Sequence, residues 1–344
     1  MEIKFQKYTL ELKHQFNISF SSRKTTPAVI VKLIQDGIEG YGEASLPPYL
    51  KENQESVTSF LEQLVYPDLT RYENIIEINR SMEREFPGNT AAKAAVDIAM
   101  HDLLGNLWER PCYEYLGIST KDPLFTSYTI GIDKPEIIEH KIKEACDFKI
   151  LKIKLGTADD YRIINTVREL TDKRLYVDAN QGWADKYAAL ELTHFLKEHS
   201  VELIEQPFPV SRIEDTSWLN ERSPLPIIAD ESMQTFNDIE TVKNCFAGIN
   251  IKLMKCSGIA NALEIIGKAR EYNLKIMIGC MTETSCAISA AMLLSPLADY
   301  ADLDGNLLIK NDPFVAETVR NGQLYFSGNN GLGIKINNKF NLQI

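Results

Sequence analysis

Two rhythms of apolar and polar residues run along this chain, and one gives way to the other near residue 118. Strand-like alternation comes first, at residues 3–12 and 28–35, with Asp36-Gly37 as a turn signal. Helical spacing follows at 53–65, 75–85 and 90–108. The last of these is the clearest, because Ala91, Ala95, Ile98, Ala99, Leu103 and Leu107 fall on one face. Pro111 and Gly117 close the region. Strands followed by helices predict a small α+β domain over residues 1–118.

After that point short β-rich runs alternate with helix-length segments. The runs lie at 125–130, 150–154, 175–178, 202–205, 226–230, 248–253, 275–278 and 298–302. The helical stretches lie at 135–146, 160–171, 186–198, 213–221, 238–245 and 259–272. A recurrence of about 25 residues is the size of a strand-plus-helix unit, and its repetition implies a parallel sheet. Eight such strands predict an α/β fold closed into a TIM-type barrel over 119–310. An open doubly wound sheet is the alternative, but no GxGxxG follows a first strand. The eighth strand lacks a full helix after it. The segment 311–344 ends in an alternating stretch rich in Gly and Asn, and is expected to pack back onto the first domain.

Composition narrows the partners. Hydrophobic residues make up 44% and charged residues 25%, ordinary for a soluble globular chain. A net charge of -11 argues against nucleic acid or an anionic membrane. It leaves room for a small anionic substrate, since a bound cation reverses the local field. The longest nearly apolar stretch, 286–298, is too short to span a bilayer, and residues 1–16 lack the apolar core of a signal peptide. The six cysteines include no CxxC pair and read as free thiols of a reducing compartment, so a cytoplasmic protein is expected.

Chemistry enters through where the charges fall. Most β-runs end on a charged residue: Lys154, Asp178, Glu205, Asp230 and Lys252. In a barrel those ends converge on one face, where barrel active sites sit. Three carboxylates, Asp178, Glu205 and Asp230, meeting there would repel one another without a cation. All-oxygen ligation with open positions favours Mg²⁺ over zinc. Lys152 and Lys154 are two apart on one strand and so share a face, and Lys252 ends a strand roughly opposite. Buried lysines need partners, so three of them facing three carboxylates point to proton chemistry. Asp302 and Asp304 end the last strand and share a side. The five histidines fall in the first domain or on helices and read as surface or packing residues. GxSxG is absent.

With Lys152-Ile-Lys154, Asp178-Ala-Asn-Gln-Gly-Trp183, Glu205-Gln-Pro207, Asp230-Glu-Ser232 and Ile251-Lys252-Leu-Met-Lys255 in place, the chain resembles the enolase superfamily, in its muconate-lactonising-enzyme-like subgroup. Gly40-Tyr-Gly-Glu-Ala44 and the helix ending at Gly117 resemble its capping domain. The resemblance implies a capping domain over a modified (β/α)7β barrel. It implies Asp178, Glu205 and Asp230 as ligands of one Mg²⁺ per subunit, and Lys154 and Lys252 as paired acid/base groups. It implies Lys255 as the second lysine of the Lys252 motif rather than as the base.

Within the subgroup, Asp302-Leu-Asp304 resembles the dipeptide epimerase signature, whose aspartates hold the substrate's ammonium. The same resemblance places Lys152, Thr129, Cys280 and Thr282 against the dipeptide. Ala-Glu epimerases carry an arginine in a mobile specificity loop of the capping domain. Here that loop, at about 13–26, has Phe16, Ile18 and Phe20 at its centre, with Ile18 near the arginine's place and Arg23 and Lys24 further on. The implied activity is Mg-dependent epimerisation of Ala-X dipeptides with X small or hydrophobic, such as Ala-Ala or Ala-Val. Alternatives are an L-Ala-D/L-Glu epimerase, and an o-succinylbenzoate synthase or cycloisomerase on the same scaffold. A non-enzymatic binding protein would have no use for both lysines and all three carboxylates. The expected partner is a small dipeptide, with no nucleic acid and no membrane; a homo-oligomer is compatible with the sequence.

Overall fold

The structure, a computed structural model, describes residues 1–18, 21–340 and 342–344. It opens with an antiparallel sheet of β1 (Glu2–Ile18), β2 (Ser21–Gln35) and β3 (Ile38–Ser45), in the order β1-β2-β3. The stretch expected as a loop at 13–26 lies, for its described part, in the far ends of β1 and β2. Phe20 lies outside the described residues. Helices α1 (Gln54–Leu61), α2 (Tyr72–Glu85), α3 (Thr90–Leu107) and α4 (Cys112–Tyr115) follow. The sequence pattern missed β3, whose glycines break its apolar alternation. Those glycines serve packing: a Cβ on Gly42 would run into the backbone of Ala95, and one on Gly40 into Leu103. The sheet therefore sits directly on α3, which is buried along nearly its whole length. Truncating Ile98 to alanine there would cost about 2–5 kcal/mol.

The barrel strands are β4 (Ser127–Ile130), β5 (Ile150–Lys154), β6 (Arg174–Asp178), β7 (Val201–Glu205), β8 (Ile227–Ala229), β9 (Gly248–Ile251), β10 (Lys275–Gly279) and β11 (Tyr300–Asp302). They form one parallel eight-stranded sheet in sequence order. A Thr126–Ala301 bridge joins its two edges and nearly closes the barrel. Helix α5 (Pro135–Glu144) is the first to pack outside it. A helix at Ser285–Met292 follows β10 and was invisible in the sequence, because every one of its residues is buried and it has no polar face to set a period.

Alternation along the strands sorts the barrel interior into layers. Ile150, Tyr176, Leu203, Ile228 and Met277 pack together as an apolar plug. Two residues further along the same strands, the inward positions turn polar: Lys152, Asp178, Glu205 and Asp230. The plug seals one end, and the charges face the C-terminal end. The C-terminal segment runs back to the first domain, where the Ile344 carbonyl accepts from Lys32 Nζ at 2.5 Å and Leu332 N donates to Asp102 at 2.8 Å.

Candidate active site

Strand register aligns the first charges. Lys154, Asp178 and Glu205 are neighbours across β5, β6 and β7. Asp230 and Lys252 stand one residue beyond β8 and β9. Lys154 and Lys252 thus leave strands four places apart in an eight-stranded barrel, on opposite sides of its mouth.

All three carboxylates are buried, and each offers an oxygen within 4.8 Å of the others. Lys154 Nζ donates to Asp178 Oδ2 at 2.6 Å, and Lys252 Nζ to Asp230 Oδ2 at 2.6 Å. Lys152 Nζ lies 2.7 Å from Glu205 Oε2, 3.1 Å from Asp178 and 2.7 Å from Asp302. Glu205 Oε2, though beside the Lys152 ammonium, makes no well-aligned hydrogen bond. That donor set, all oxygen, fits a hard divalent cation.

Electrostatics follow from burial set against these pairs. Burial alone would raise the carboxyl of Asp178, but Lys154 and Lys152 outweigh it and hold the group below the usual carboxylate range. Burial at Asp230 is likewise overcome by Lys252 and Lys255, which pull it well down. Glu205 is pushed up to about 7, by burial first and then by Asp178. Burial works against the ammonium of Lys152, yet Asp302, Glu205 and Asp178 together hold it charged well above the ordinary lysine range.

The motif residues between the charges are braces. Gln206, at φ 36°, accepts from Asp230 N and Ser232 N at 3.0 Å through Oε1 and donates to Ser232 Oγ at 2.9 Å. It ties the second carboxylate's loop to the third. Trp183 Nε1 donates to Asp160 at 2.9 Å, fixing the turn after β6. Lys255 Nζ is held by the Asp230 carbonyl and carboxyl and by the Asn250 carbonyl, all within 3.1 Å. It is committed to holding Asp230 in place.

These groups open into a cavity of about 530 Å³ between barrel mouth and capping sheet. The size suits a small ligand. Every expected substrate contact lines it: Ile18, Thr129, Lys152, Cys280, Thr282, Asp302 and Asp304. Asp302 is already engaged by Lys152 and by Ser127 Oγ at 2.6 Å. Asp304 accepts from Thr129 N at 2.6 Å but has no cation in ion-pair contact among the described residues. Burial, and then the Asp302 charge, push its carboxyl up to about 7. The seventh-strand loop is held from the cap side: Ser45 Oγ donates to the Thr282 carbonyl at 2.6 Å, and Glu43 accepts from Thr284 N.

Arg23 is the residue the sequence could name but not place. In the β1–β2 register it stands opposite Phe16, so the two share a face. Its guanidinium lies 4.9 Å over the Phe16 ring and donates to Thr282 Oγ1 at 3.1 Å. Nη1 is buried without a partner, and no described carboxylate pairs with the group. Tyr49 and Glu231 also line the cavity and were not singled out in the sequence. Glu231 stands beside a strong motif residue, but nothing in its spacing sets it apart from an ordinary loop glutamate.

Comparison with known proteins agrees with this geometry. Residues 2–117 match the mandelate racemase / muconate lactonizing enzyme N-terminal domain, and residues 138–340 match the enolase C-terminal domain-like family. The chain belongs to the enolase superfamily. It is 46% identical over 338 residues to an L-Ala-D/L-Glu epimerase of Bacteroides thetaiotaomicron, covering 97% of this chain and 88% of the relative. The structure of a substrate-liganded L-Ala-D/L-Glu epimerase from Bacillus subtilis superposes with a TM-score of 0.89 at 29% identity, covering 97% of this chain and 98% of that one. A dipeptide epimerase from Cytophaga hutchinsonii, complexed with Mg and D-Ala-L-Val, also gives 0.89, at 27% identity, over 98% of this chain and 96% of that one. As a superfamily member the chain has the expected architecture, an enolase-type barrel with an N-terminal antiparallel-sheet domain. Among the described residues no helix is long and apolar enough to cross a membrane.

Proposed function

We propose that this chain is a Mg²⁺-dependent dipeptide epimerase, an isomerase that inverts the α-carbon of the C-terminal residue of Ala-X dipeptides. One observation carries the reading: two opposed lysines share a cavity with two unpaired charges of opposite sign, Asp304 and Arg23. A buried charge without a counter-charge is costly. A dipeptide with a free ammonium and an acidic second side chain would supply both missing partners. Arg23 thus favours Ala-Glu, the alternative weighed from the sequence. Phe16 and Ile18 on the same wall support the hydrophobic X expected first, and keep it as a second reading.

Asp178, Glu205 and Asp230 would hold the Mg²⁺, which when bound supplies a Lewis acid for the substrate carboxylate. Lys152, fixed by Glu205 and Asp302, presents its ammonium to that carboxylate. One of Lys154 and Lys252 takes the α-proton, and the bonding pair moves into the carboxylate to give an enediolate. Lys152 stabilises this growing charge more than the ground state, which lowers the barrier. The other lysine returns a proton to the opposite face. Inversion needs a proton-carrying group on each side, and the positions halfway round the barrel suit it. A cycloisomerase would leave Asp304 without its cation.

The test is incubation with Mg²⁺ in D₂O, with Ala-Glu, Ala-Leu and Ala-Ala followed by mass and chiral analysis. Deuterium should enter the C-terminal residue as its configuration scrambles, fastest for Ala-Glu, and EDTA should stop it. No exchange with any Ala-X dipeptide would sink the reading. Faster exchange of Ala-Leu than Ala-Glu would overturn the acidic preference alone.

A further inference from the structure

The β1–β2 hairpin that carries Phe16, Ile18 and Arg23 touches the barrel at a second place, outside the cavity. Asn17 exchanges two hydrogen bonds with Ile132 in the loop after β4: Ile132 N donates to the Asn17 carbonyl, and Asn17 Nδ2 to the Ile132 carbonyl, both at 3.1 Å. Beside this contact, His14 of β1 meets His140 and Glu144 of α5. His14 Nε2 lies 2.9 and 3.2 Å from the two Glu144 oxygens, and His140 Nδ1 lies 3.6 Å from Oε1. The two imidazole rings stand 5.9 Å apart at a steep angle.

We infer that His14, His140 and Glu144 form a second metal site, for a borderline divalent transition-metal ion such as Zn²⁺, that clasps the hairpin to the first barrel helix. Three features point there. First, the ligand types are right. Two imidazoles and a carboxylate are a zinc donor set and a poor one for Mg²⁺, so the site would not compete for the ion expected at Asp178. Second, His140 and Glu144 are one helical turn apart on α5 and so project from the same face, as a metal-binding helix requires. Third, the spacings fit. Ligands about 2.0–2.1 Å from a tetrahedral ion stand about 3.3 Å from one another. Around the single oxygen Glu144 Oε1, His14 Nε2 at 3.2 Å and His140 Nδ1 at 3.6 Å stand either side of that value, and one ligand atom from each of the three residues lies within 4.8 Å of the others.

The site is exposed enough for an aqueous ion to enter: His14 is 36% accessible, Glu144 37% and His140 65%. A water would complete the tetrahedron. The ligands come from two parts of the fold, so binding adds its free energy to the docking of the hairpin. His14 is two residues before Phe16, and a fixed His14 holds the cavity wall in place. Binding itself does not depend on the substrate assignment; only the effect on turnover rests on the epimerase reading.

The experiment uses the full chain saturated with Mg²⁺ and titrated with Zn²⁺ by calorimetry, and with Co²⁺ for its visible bands. One equivalent should bind to the parent, with bands typical of four-coordinate Co²⁺. His140→Ala, an exposed change, should weaken that binding at least tenfold and leave Mg²⁺-dependent activity unchanged. Asp230→Asn should retain the equivalent. Hydrogen exchange at residues 13–26 should slow on adding Zn²⁺ to the parent and not to His140→Ala. Equal binding by parent and His140→Ala, or loss of the equivalent in Asp230→Asn, would assign the ion to the carboxylates and overturn the site. Binding without slowed exchange would overturn the clasp. Deuterium exchange into dipeptides, read separately, reports on the epimerase reading alone.

Discussion

The barrel mouth and the hairpin laid over it treat charge in opposite ways. At the mouth the lysines and the carboxylates they face are in contact: Lys154 with Asp178, Lys252 and Lys255 with Asp230, Lys152 with Glu205 and Asp302. On the hairpin, Arg23 has the Phe16 ring and the hydroxyls of Thr26 and Thr282 but no carboxylate. Asp304, at the last strand, is its mirror image. The paired set is rigid because strand register and buried ion pairs hold it. Under the proposed function the unpaired charges gain their partners from a ligand. Paired charges therefore mark the chemistry, and unpaired ones mark what the site selects.

The largest effect should come from breaking the paired set. Lys154→Ala and Lys252→Ala should each lower kcat for epimerisation by at least about 10³-fold, within the range for loss of a positioned acid or base. Each variant should still wash deuterium into one configuration of the substrate, because one lysine remains on one face. Near-normal epimerisation by Lys252→Ala would end the two-base mechanism.

Removing the unpaired cation should cost less and act selectively. Arg23→Leu should lower kcat/KM for Ala-Glu by about 10–100-fold, the worth of a hydrogen bond to a charged group. It should leave Ala-Leu unharmed or improved. An equal loss on both substrates would give Arg23 a structural role and remove the distinction between the two regions.

Much of the mouth was legible because a strand's period of two is rigid. Lys152 and Lys154 had to share a face, and strand ends had to converge. The hairpin was less legible for the converse reason. A register shift between Glu11 and Phe16 separates its two halves, and a slip of one residue exchanges the faces. Nothing local says that Arg23 pairs with Phe16. β3 escaped notice because its glycines break the alternation, and the helix Ser285–Met292 because full burial erases the polar half of a pattern. His14 and the pair His140 and Glu144 lie more than a hundred residues apart, and only the fold makes them neighbours.

The unpaired anion gives a smaller, pH-dependent effect. In the free site burial and then the Asp302 charge push the Asp304 carboxyl up to about 7. Below that pH it carries a proton and no longer attracts an ammonium. The substrate's own amine loses its proton above about 8. kcat/KM should therefore peak between these values and fall roughly tenfold per unit on the acid side. Asp304→Asn should lower kcat/KM throughout and flatten the acid limb. An unchanged acid limb in that variant would assign it to another group.

The smallest effect tests the seam between the two regions. Glu43 reaches from β3 to the loop after β10, where it accepts from Thr284 N and Thr284 Oγ1. It is fully buried, and burial followed by the Glu283 charge pushes its carboxyl up to about 8, against an ordinary value of 4.5. Between those values the folded chain holds a proton that the unfolded chain has lost. The resulting stability is complete below about 4.5 and is lost as pH rises through 8. Glu43→Gln keeps an acceptor for Thr284 N and cannot ionise, so it should not lose that increment. Its melting temperature relative to the parent should be higher by about 5–10 °C at pH 9 than at pH 6, the shift expected from two pH units at about 1.4 kcal/mol each in a large domain. The same difference at both pH values would mean that Glu43 is charged throughout, and that Thr284 compensates its burial as fully as the lysines compensate the carboxylates of the mouth.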